Sequence, residues 1–411
     1  MAWPLRSCPE RRRSRRRTSR TPPNLRSSPA SPAAVDPMRP LVSALLALTL
    51  AFTIAPATES GGERHSAAGR TAVAAPSIPS TPSDAAAAID ASRDFLTSYV
   101  LDDGRVVRWD QGGDTVSEGQ GYAMLIAAAI GDEVTFDRVW RWTERELLRD
   151  DGLFAWHWND GAVVDEQSAS DADLFIAAAL SLAGRKFAEP RYTDAALRTS
   201  DALLELATAE IGGRRVLTAG PWAVDDGVVN PSYWAVPLMS RLWWDGAWGW
   251  ASVAANARES LEQLTSQAPH LPPDWAVADE SADGELTVDA IGLPPVHGWE
   301  AVRVPIQAAV DCAADGKRIA ARLWPFHLSR DIRAAAVVGL DGTVVDAASH
   351  PIATVAAAAA ASAAGSEASA RVLLDRAAAQ DAEQPSYYGS AWIALGRLWL
   401  TTPLLGGCAQ P

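Results

Sequence analysis

Residues 168–185 read SASDADLFIAAALSLAGR, two acids at a spacing of two followed by a strongly apolar run. Such a run is a helix, and Asp171 and Asp173 stand in its first turn, where the helix dipole favours carboxylates. Read alone, that is ordinary helix capping. Outward from it, apolar positions three and four apart recur along the chain with few β-branched alternations. They predict helices at 84–100, 119–131, 134–149, 171–185, 191–209, 231–243, 248–267, 299–313, 317–330, 351–364, 367–379 and 386–400. Start signals support this reading. Asn230-Pro231 offers a cap followed by a proline at the first helical position, and His350-Pro351 offers the proline with a poorer cap. Twelve helices in consecutive pairs, with short connections, predict an all-α (α/α)6 barrel of six inner and six outer helices over residues 84–405. Alanine runs at 127–129, 177–179 and 356–361 allow the close approach this needs. A solenoid of helical repeats ranks second, because no fixed sequence period is present. Residues 271–298, rich in Pro, Asp and Gly, interrupt the pattern and read as a surface loop with a short strand at 285–288.

Composition narrows the partners. Residues 1–37 carry nine Arg against Glu10 and Asp36, a net +7, which leaves −21 for the rest of a chain whose formal net charge is −14. So acidic a body argues against a nucleic-acid partner and is compatible with a neutral or cationic polymer. Tryptophan is plentiful, at 17 residues. Much of it belongs in a core, and a surplus would suit stacking on flat sugar faces. The three cysteines, at 8, 312 and 408, do not make a disulfide scaffold.

The first 83 residues concern address. Residues 1–37 are a disordered basic segment or an upstream translation artefact. Residues 38–57, with Met38-Arg39-Pro40 leading into LVSALLALTLAFTIAPA, read as a signal peptide or membrane anchor. Residues 58–83 are a flexible linker of Ser, Thr, Ala, Pro and Gly. The expected location is secreted, or anchored on the extracytoplasmic side with membrane contact only through that segment. Export would permit a Cys312–Cys408 disulfide.

Three segments carry chemistry. Asp114-Thr115-Val116-Ser117-Glu118-Gly119-Gln120-Gly121-Tyr122-Ala123-Met124 sets a carboxylate where a helix begins, between Ser117, a candidate cap, and glycines that would let a ligand approach the backbone. Ser168–Asp173 is the second. The third is Gly298-Trp299-Glu300-Ala301-Val302-Arg303-Val304-Pro305, where Glu300 and Arg303, three apart, could form an ion pair.

Together these segments resemble glycoside hydrolase family 8 in content, order and spacing. Residues 115–124, TVSEGQGYAM, depart from that family's TVSEGQGYGM-like motif only at Ala123. Residues 169–173, ASDAD, match its second motif, and residues 299–305 match its YDA-x-R-V-P motif in altered form. Further likeness lies in Asn230-Pro231-Ser232-Tyr233 and Tyr387-Tyr388-Gly389-Ser390, so the resemblance spans about residues 90–400. It implies an (α/α)6 barrel and inversion at the anomeric carbon. It implies Glu118 as general acid, Asp171 as the aspartate contacting the sugar at the cleavage point, and Glu300 in the place of the aspartate that serves as general base.

Breaking an acetal needs the leaving oxygen protonated while water is activated on the opposite face, which one acid and one base accomplish in a single displacement. The acid must hold its proton near neutral pH, so burial or a like charge such as Asp171 must raise its pKa. No metal or other cofactor is expected, since the six His residues lack ligand spacing. Glu300 is one methylene longer than the family's aspartate, and Asp171 and Asp110 are the next candidates for the base.

The expected substrate-binding residues are Trp156, Tyr233, Trp299, Arg303 and Tyr387. Trp156-His157-Trp158 reads as a loop, and Tyr233, Trp234, Trp299, Tyr387 and Tyr388 as residues at helix starts on the rim. Trp140, Trp142, Trp243, Trp244, Trp392 and Trp399 read as core. The leading expectation is a monomeric, endo-acting β-1,4-glucanase whose partner is a β-linked polysaccharide. Chitosanase, xylanase and mixed-linkage glucanase activities remain open alternatives within the family. A non-catalytic polysaccharide-binding protein of an export system is the alternative outside it.

Overall fold

A computed structural model of the protein describes residues 80–329, 335–405 and 408. The segments 1–37 and 38–57, and the linker as far as residue 79, lie outside the described residues. Thirteen α-helices are found among the described residues: α1 Pro82–Tyr99, α2 Ser117–Ile130, α3 Glu133–Glu146, α4 Ser170–Lys186, α5 Pro190–Leu206, α6 Val236–Trp244, α7 Trp250–Leu264, α8 Val304–Ala309, α9 Ala314–Arg322, α10 Trp324–Ser329, α11 Pro351–Ala363, α12 Glu367–Glu383 and α13 Tyr387–Thr401.

Burial sorts them into two layers. Fifteen of the seventeen residues of α4 are buried and twelve of the thirteen of α11, whereas the seventeen-residue α12 buries only four. A helix buried on every face must have neighbours on every side. The inner helices supply them to one another. α2 packs on α4, α4 on α6, α6 on α8, α8 on α11, α11 on α13, and α13 returns to α2. That closed ring of six is jacketed by α1, α3, α5, α7, α9 and α12, each against a helix of the ring. The architecture is the expected (α/α)6 barrel. The alanine runs of α2, α4 and α11 are buried inside it, where short side chains let helix axes approach.

Three stretches read as single helices are divided, each for the same reason. Residues 231–243 form a 3-10 turn at Pro231–Tyr233 before α6 starts, residues 299–313 form a turn at Ala301–Arg303 before α8, and residues 317–330 divide between α9 and α10. Pro237, Pro305 and Pro325 each stand second in the helix that follows the break. Proline lacks an N–H and clashes with the carbonyl four residues back, so it is tolerated in a first turn and not in an interior. Capping also refines two boundaries. Thr81 and Asp84 form a reciprocal capping box that starts α1 at Pro82, inside the stretch read as linker. His350 does cap α11, its Nδ1 accepting from the Ile352 amide at 3.3 Å.

Short antiparallel strands decorate the connections. Leu286–Ala290, which includes most of the expected strand, pairs with Ala276–Glu280, and that strand pairs with Val228–Val229. Thr115–Val116 pairs with His157–Asn159, so the Trp156-His157-Trp158 stretch is partly strand rather than loop. The strands Ala335–Gly339 and Val344–Ser349 were not expected from the sequence.

Candidate active site

The inner helices bring their N-terminal ends together, and the carboxylates arrive with them. Glu118 lies in the first turn of α2 and Asp171 in that of α4, while Glu300 directly precedes the 3-10 turn leading to α8. Arg303, only 1% exposed, gathers all three. Its Nη1 donates to Glu118 Oε2 and to Asp171 Oδ2, each at 2.9 Å, and to the Tyr122 hydroxyl at 3.2 Å. Its Nη2 donates to Glu300 Oε2 and to Ser232 Oγ, the latter at 2.7 Å. The guanidinium also lies 5.4 Å over the Tyr233 ring. One cation facing three acids cannot neutralise them all, so the cluster favours taking up a proton.

Burial decides which acid responds. The side chain of Asp171 is 3% exposed, against 24% for Glu118 and 23% for Glu300. Burial, opposed by Arg303 and reinforced by the charges of Glu118 and Glu300, pushes Asp171 up to about 8. Glu300 is also raised, by burial first, with Arg303 opposing and Glu118 and Asp274 adding to the rise. Acids this close titrate as a set, so the proton belongs to the cluster.

Glu300 is held by a second network. Asn230 Nδ2 donates to its Oε2 at 3.3 Å, and Asn230 Oδ1 accepts from the Ser232 amide and hydroxyl at 3.0 and 2.7 Å. Asp274 Oδ1 accepts from the amides of Gly298 and Ala301, at 2.8 and 2.9 Å, and so fixes the backbone on both sides of Glu300. Among the described residues no donor reaches Glu300 Oε1. Asn230 and Ser232 were visible in the sequence as motif residues without a role. Asp274 gave no signal, being one acid of many in a Pro- and Asp-rich loop.

The neighbouring acids have other duties. Asp173, fully buried, accepts from the Phe154 amide at 2.9 Å and from the Ser168 hydroxyl, and burial pushes it up to about 7 against these bonds. Asp110 is exposed, and its Oδ1 accepts from the Tyr387 amide at 3.2 Å. Asp114 pairs with Arg108 at 2.8 Å and with His157 Nε2 at 2.9 Å, and the His157 ring stacks on Trp156 at 4.7 Å.

Two local readings change. Val116, not Ser117, is the N-cap of α2, and no side chain caps that end. The glycines make room for protein rather than ligand. A Cβ on Gly119 would lie 2.6 Å from the Tyr387 hydroxyl, and one on Gly121 would lie 2.9 Å from Phe175 Cβ on α4.

The expected binding aromatics divide. Trp156 and Trp299 are half-buried, whereas Tyr233 and Tyr387 are buried beneath the acids. The Tyr387 hydroxyl has no hydrogen-bond partner among the described residues. Tyr388 donates to the Trp299 carbonyl at 2.9 Å. Trp234, read as a rim residue, is core, 1% exposed with its indole N–H donating to the Leu217 carbonyl at 2.8 Å. Trp243 and Trp244, read as core, are only half-buried, because α6 ends beside them.

The sequence profile of glycosyl hydrolases family 8 matches residues 71–402, nearly the whole body and every residue of this cluster. The chain belongs to that family. A probable endoglucanase from Novacetimonas hansenii is 35% identical to this family 8 chain over 220 residues, 52% of this chain and 64% of the relative. An endoglucanase from Cellulomonas uda is 30% identical over 52% of this chain and 60% of its own length. The matched stretch thus spans less than two thirds of these curated relatives. Among solved structures, the endo-beta-1,4-glucanase CMCax from Acetobacter xylinum superposes with a TM-score of 0.65 at 27% identity, covering 76% of this chain and 97% of that one. A beta-1,3-1,4-glucanase from Paenibacillus sp. X4 shares the fold with a TM-score of 0.67 at 18% identity, over 80% of this chain and 95% of that one.

Proposed function

We propose that the chain is an endo-acting, inverting glycoside hydrolase that cleaves β-1,4-glucan. The observation that carries this reading is the gathering of Glu118, Asp171 and Glu300 on the Arg303 guanidinium at the mouth of the barrel. The names of the relatives support a β-1,4-glucan over other β-glycans. Glu118 is the general acid that protonates the leaving oxygen. Glu300 is the base. Arg303 and Asn230 hold its Oε2, leaving Oε1 to take a proton from the attacking water. Inversion requires the acid and base to stand on opposite faces of the sugar with room for that water. Asp171 contacts the sugar at the point of cleavage and keeps the proton of the cluster close to Glu118, since both acids lean on the same Arg303 nitrogen. Arg303 positions the acids, and Trp156 and Trp299 offer ring edges or faces to the glucan, whereas the Tyr387 hydroxyl is buried against Gly119 and backs the start of α2 instead of meeting the sugar. Tyr233 lines the floor beneath Arg303.

The catalytic unit in this proposal is residues 84–405, and residues 38–57 direct its export. A disulfide joins Cys312 to Cys408 with a Cα–Cα distance of 5.2 Å, and a disulfide supports an oxidising compartment. No described helix is long and apolar enough to cross a membrane.

The test is Glu118→Gln, which keeps shape but has no proton to give at a useful pKa. Hydrolysis of cellohexaose should fall by about 100-fold or more while the folded protein still binds it. With the unaltered protein, NMR should detect the α-anomer first from the β-linked substrate. Release of the β-anomer would overturn the assignment of Glu300.

A further inference from the structure

The loop from Arg108 to Asp114 is braced from two directions. Asp110 receives the Tyr387 amide on one side, and on the other Asp114 holds Arg108 and His157, on which Trp156 stacks. The loop therefore spans from the start of α13 to the strand His157–Asn159, which Trp156 precedes, along the same mouth that holds Glu118. Near its start, opening the 3-10 turn Trp109–Gln111, stands Trp109, 56% exposed. Its indole N–H donates to the Ser98 carbonyl near the end of α1 at 3.1 Å, so the ring is oriented before any ligand arrives. The neighbouring side chains Asp110 and Gln111 are exposed and polar.

We infer that Trp109 is a stacking platform for a sugar unit of the same glucan chain, several units from the bond that is cut. This rests on the proposed glucanase reading and extends its binding site beyond the carboxylate cluster. The chemistry fits a neutral β-linked sugar. Its equatorial hydroxyls leave an apolar C–H face to lie on an indole, with Asp110 and Gln111 placed to meet hydroxyls at the ring edge. A fixed ring gives up little freedom on stacking. The acidic body disfavours an anionic polymer on the same platform. Continuity with the mouth, through Tyr387 and Trp156, identifies the occupant as the far part of the substrate rather than a separate ligand.

The platform should matter only to substrates long enough to reach it. Trp109→Ala should lower kcat/KM on cellohexaose by about fivefold and leave cellotetraose unchanged, and Trp109→Phe should recover most of the loss. In parallel, calorimetry on Glu118→Gln with and without Trp109→Ala measures binding of the two oligosaccharides without turnover. An equal loss on both lengths would overturn the proposal in favour of an effect transmitted through Asp110 to Tyr387. No loss on either length would overturn it outright. If the unaltered protein cuts no glucan, the glucanase reading fails, and the binding ratio on Glu118→Gln still decides Trp109. If Glu118→Gln binds neither oligosaccharide, both readings fail.

Discussion

Two arginines lie buried at opposite ends of the barrel, and their surroundings differ in kind. Arg303, at the N-terminal ends of the inner helices, touches three carboxylates. Burial works against its charge, but Tyr388, Glu300, Tyr122 and Glu118 push its pKa well above the ordinary value. Arg241 lies towards the C-terminal end of α6, where its Nη2 donates to the Leu405 carbonyl at 3.1 Å and its guanidinium sits 5.9 Å over the Trp244 ring. Burial and the nearby Arg185 push its pKa down, with Asp245 opposing. Around it is a cavity of about 100 Å³ lined by Leu125, Leu182, Leu238, Trp399 and Leu405. The Cys312–Cys408 bond ties the chain beside that cavity. One end of the barrel gathers three acids on one arginine, and the other joins an apolar cavity and a covalent tie to acids that are paired one to one. A barrel of inner helices all pointing the same way makes this division natural. Their N-termini carry partial positive charge and favour a cluster of acids, while at their C-termini Asp245 and Asp311 are each answered by an arginine, Arg185 and Arg258.

The largest expected effect sharpens that contrast directly. Arg303→Met removes the one cation from three acids and should cost about 3–5 kcal/mol of stability, with activity lost. Arg241→Met places a similar volume in an apolar setting at the other end. It should change stability by no more than about 1 kcal/mol and leave hydrolysis intact, because the avoided burial of charge offsets the lost bond to Leu405. Denaturant melts of the two variants measure both. Equal losses would break the comparison.

Next in size is the covalent tie. The disulfide closes a separation of 96 residues, and Cys408→Ser should cost about 2–4 kcal/mol. Since the tie lies at the far end, kcat and KM below the melting range should not move. A change in KM would mean that the two ends communicate.

Glu300 follows. Glu300→Ala should lower the rate by about 100-fold, with azide restoring part of it, while the melting temperature changes little. Glu300→Asp tests whether Asn230 and Arg303 tolerate the shorter side chain, and its rate should stay within about threefold of the original. Quenched-flow hydrolysis of cellohexaose gives both numbers.

What the sequence could reveal follows from where the information is local. The six-by-six arrangement was legible because each inner helix is apolar around its circumference, as residues 174–180 illustrate. Glu118, Asp171 and Glu300 were legible because each sits in a short motif at a helix start. The convergence on Arg303 was only half legible. The pairing with Glu300 follows from spacing, but its reach to α2 and α4 depends on ring closure. Asp274 was invisible, because its partners are backbone amides 24 and 27 residues away. The three interrupted helices could have been read from Pro237, Pro305 and Pro325. The strands at 335–339 and 344–349 could not be found by helical periodicity, being short and paired with each other, the first also with Val296–His297 across a long stretch of chain.

The smallest expected effect separates the ends by pH. Asp173 has an ordinary value of 3.8 and is pushed up to about 7 by burial, so the folded protein keeps a proton there that the unfolded chain gives up. A raised carboxyl contributes stability that is fully present below the unfolded value and is lost as pH rises through the folded one. Between about pH 5.5 and 8 that loss should amount to roughly 2 kcal/mol, to which Asp171, raised to about 8, adds in the same direction. Asp173→Asn can still accept from the Phe154 amide and can donate to Ser168, so it preserves the local bonds without titrating. Its stability advantage over the unaltered protein should therefore be small near pH 5.5 and grow towards pH 8. The same series on Arg241→Met should run parallel to the unaltered protein, because the far end holds no carboxyl raised in this way among the residues around the cavity. Parallel curves for Asp173→Asn would mean that Asp173 is ionised in the fold throughout, and the alkaline loss of stability would then fall to Asp171 alone.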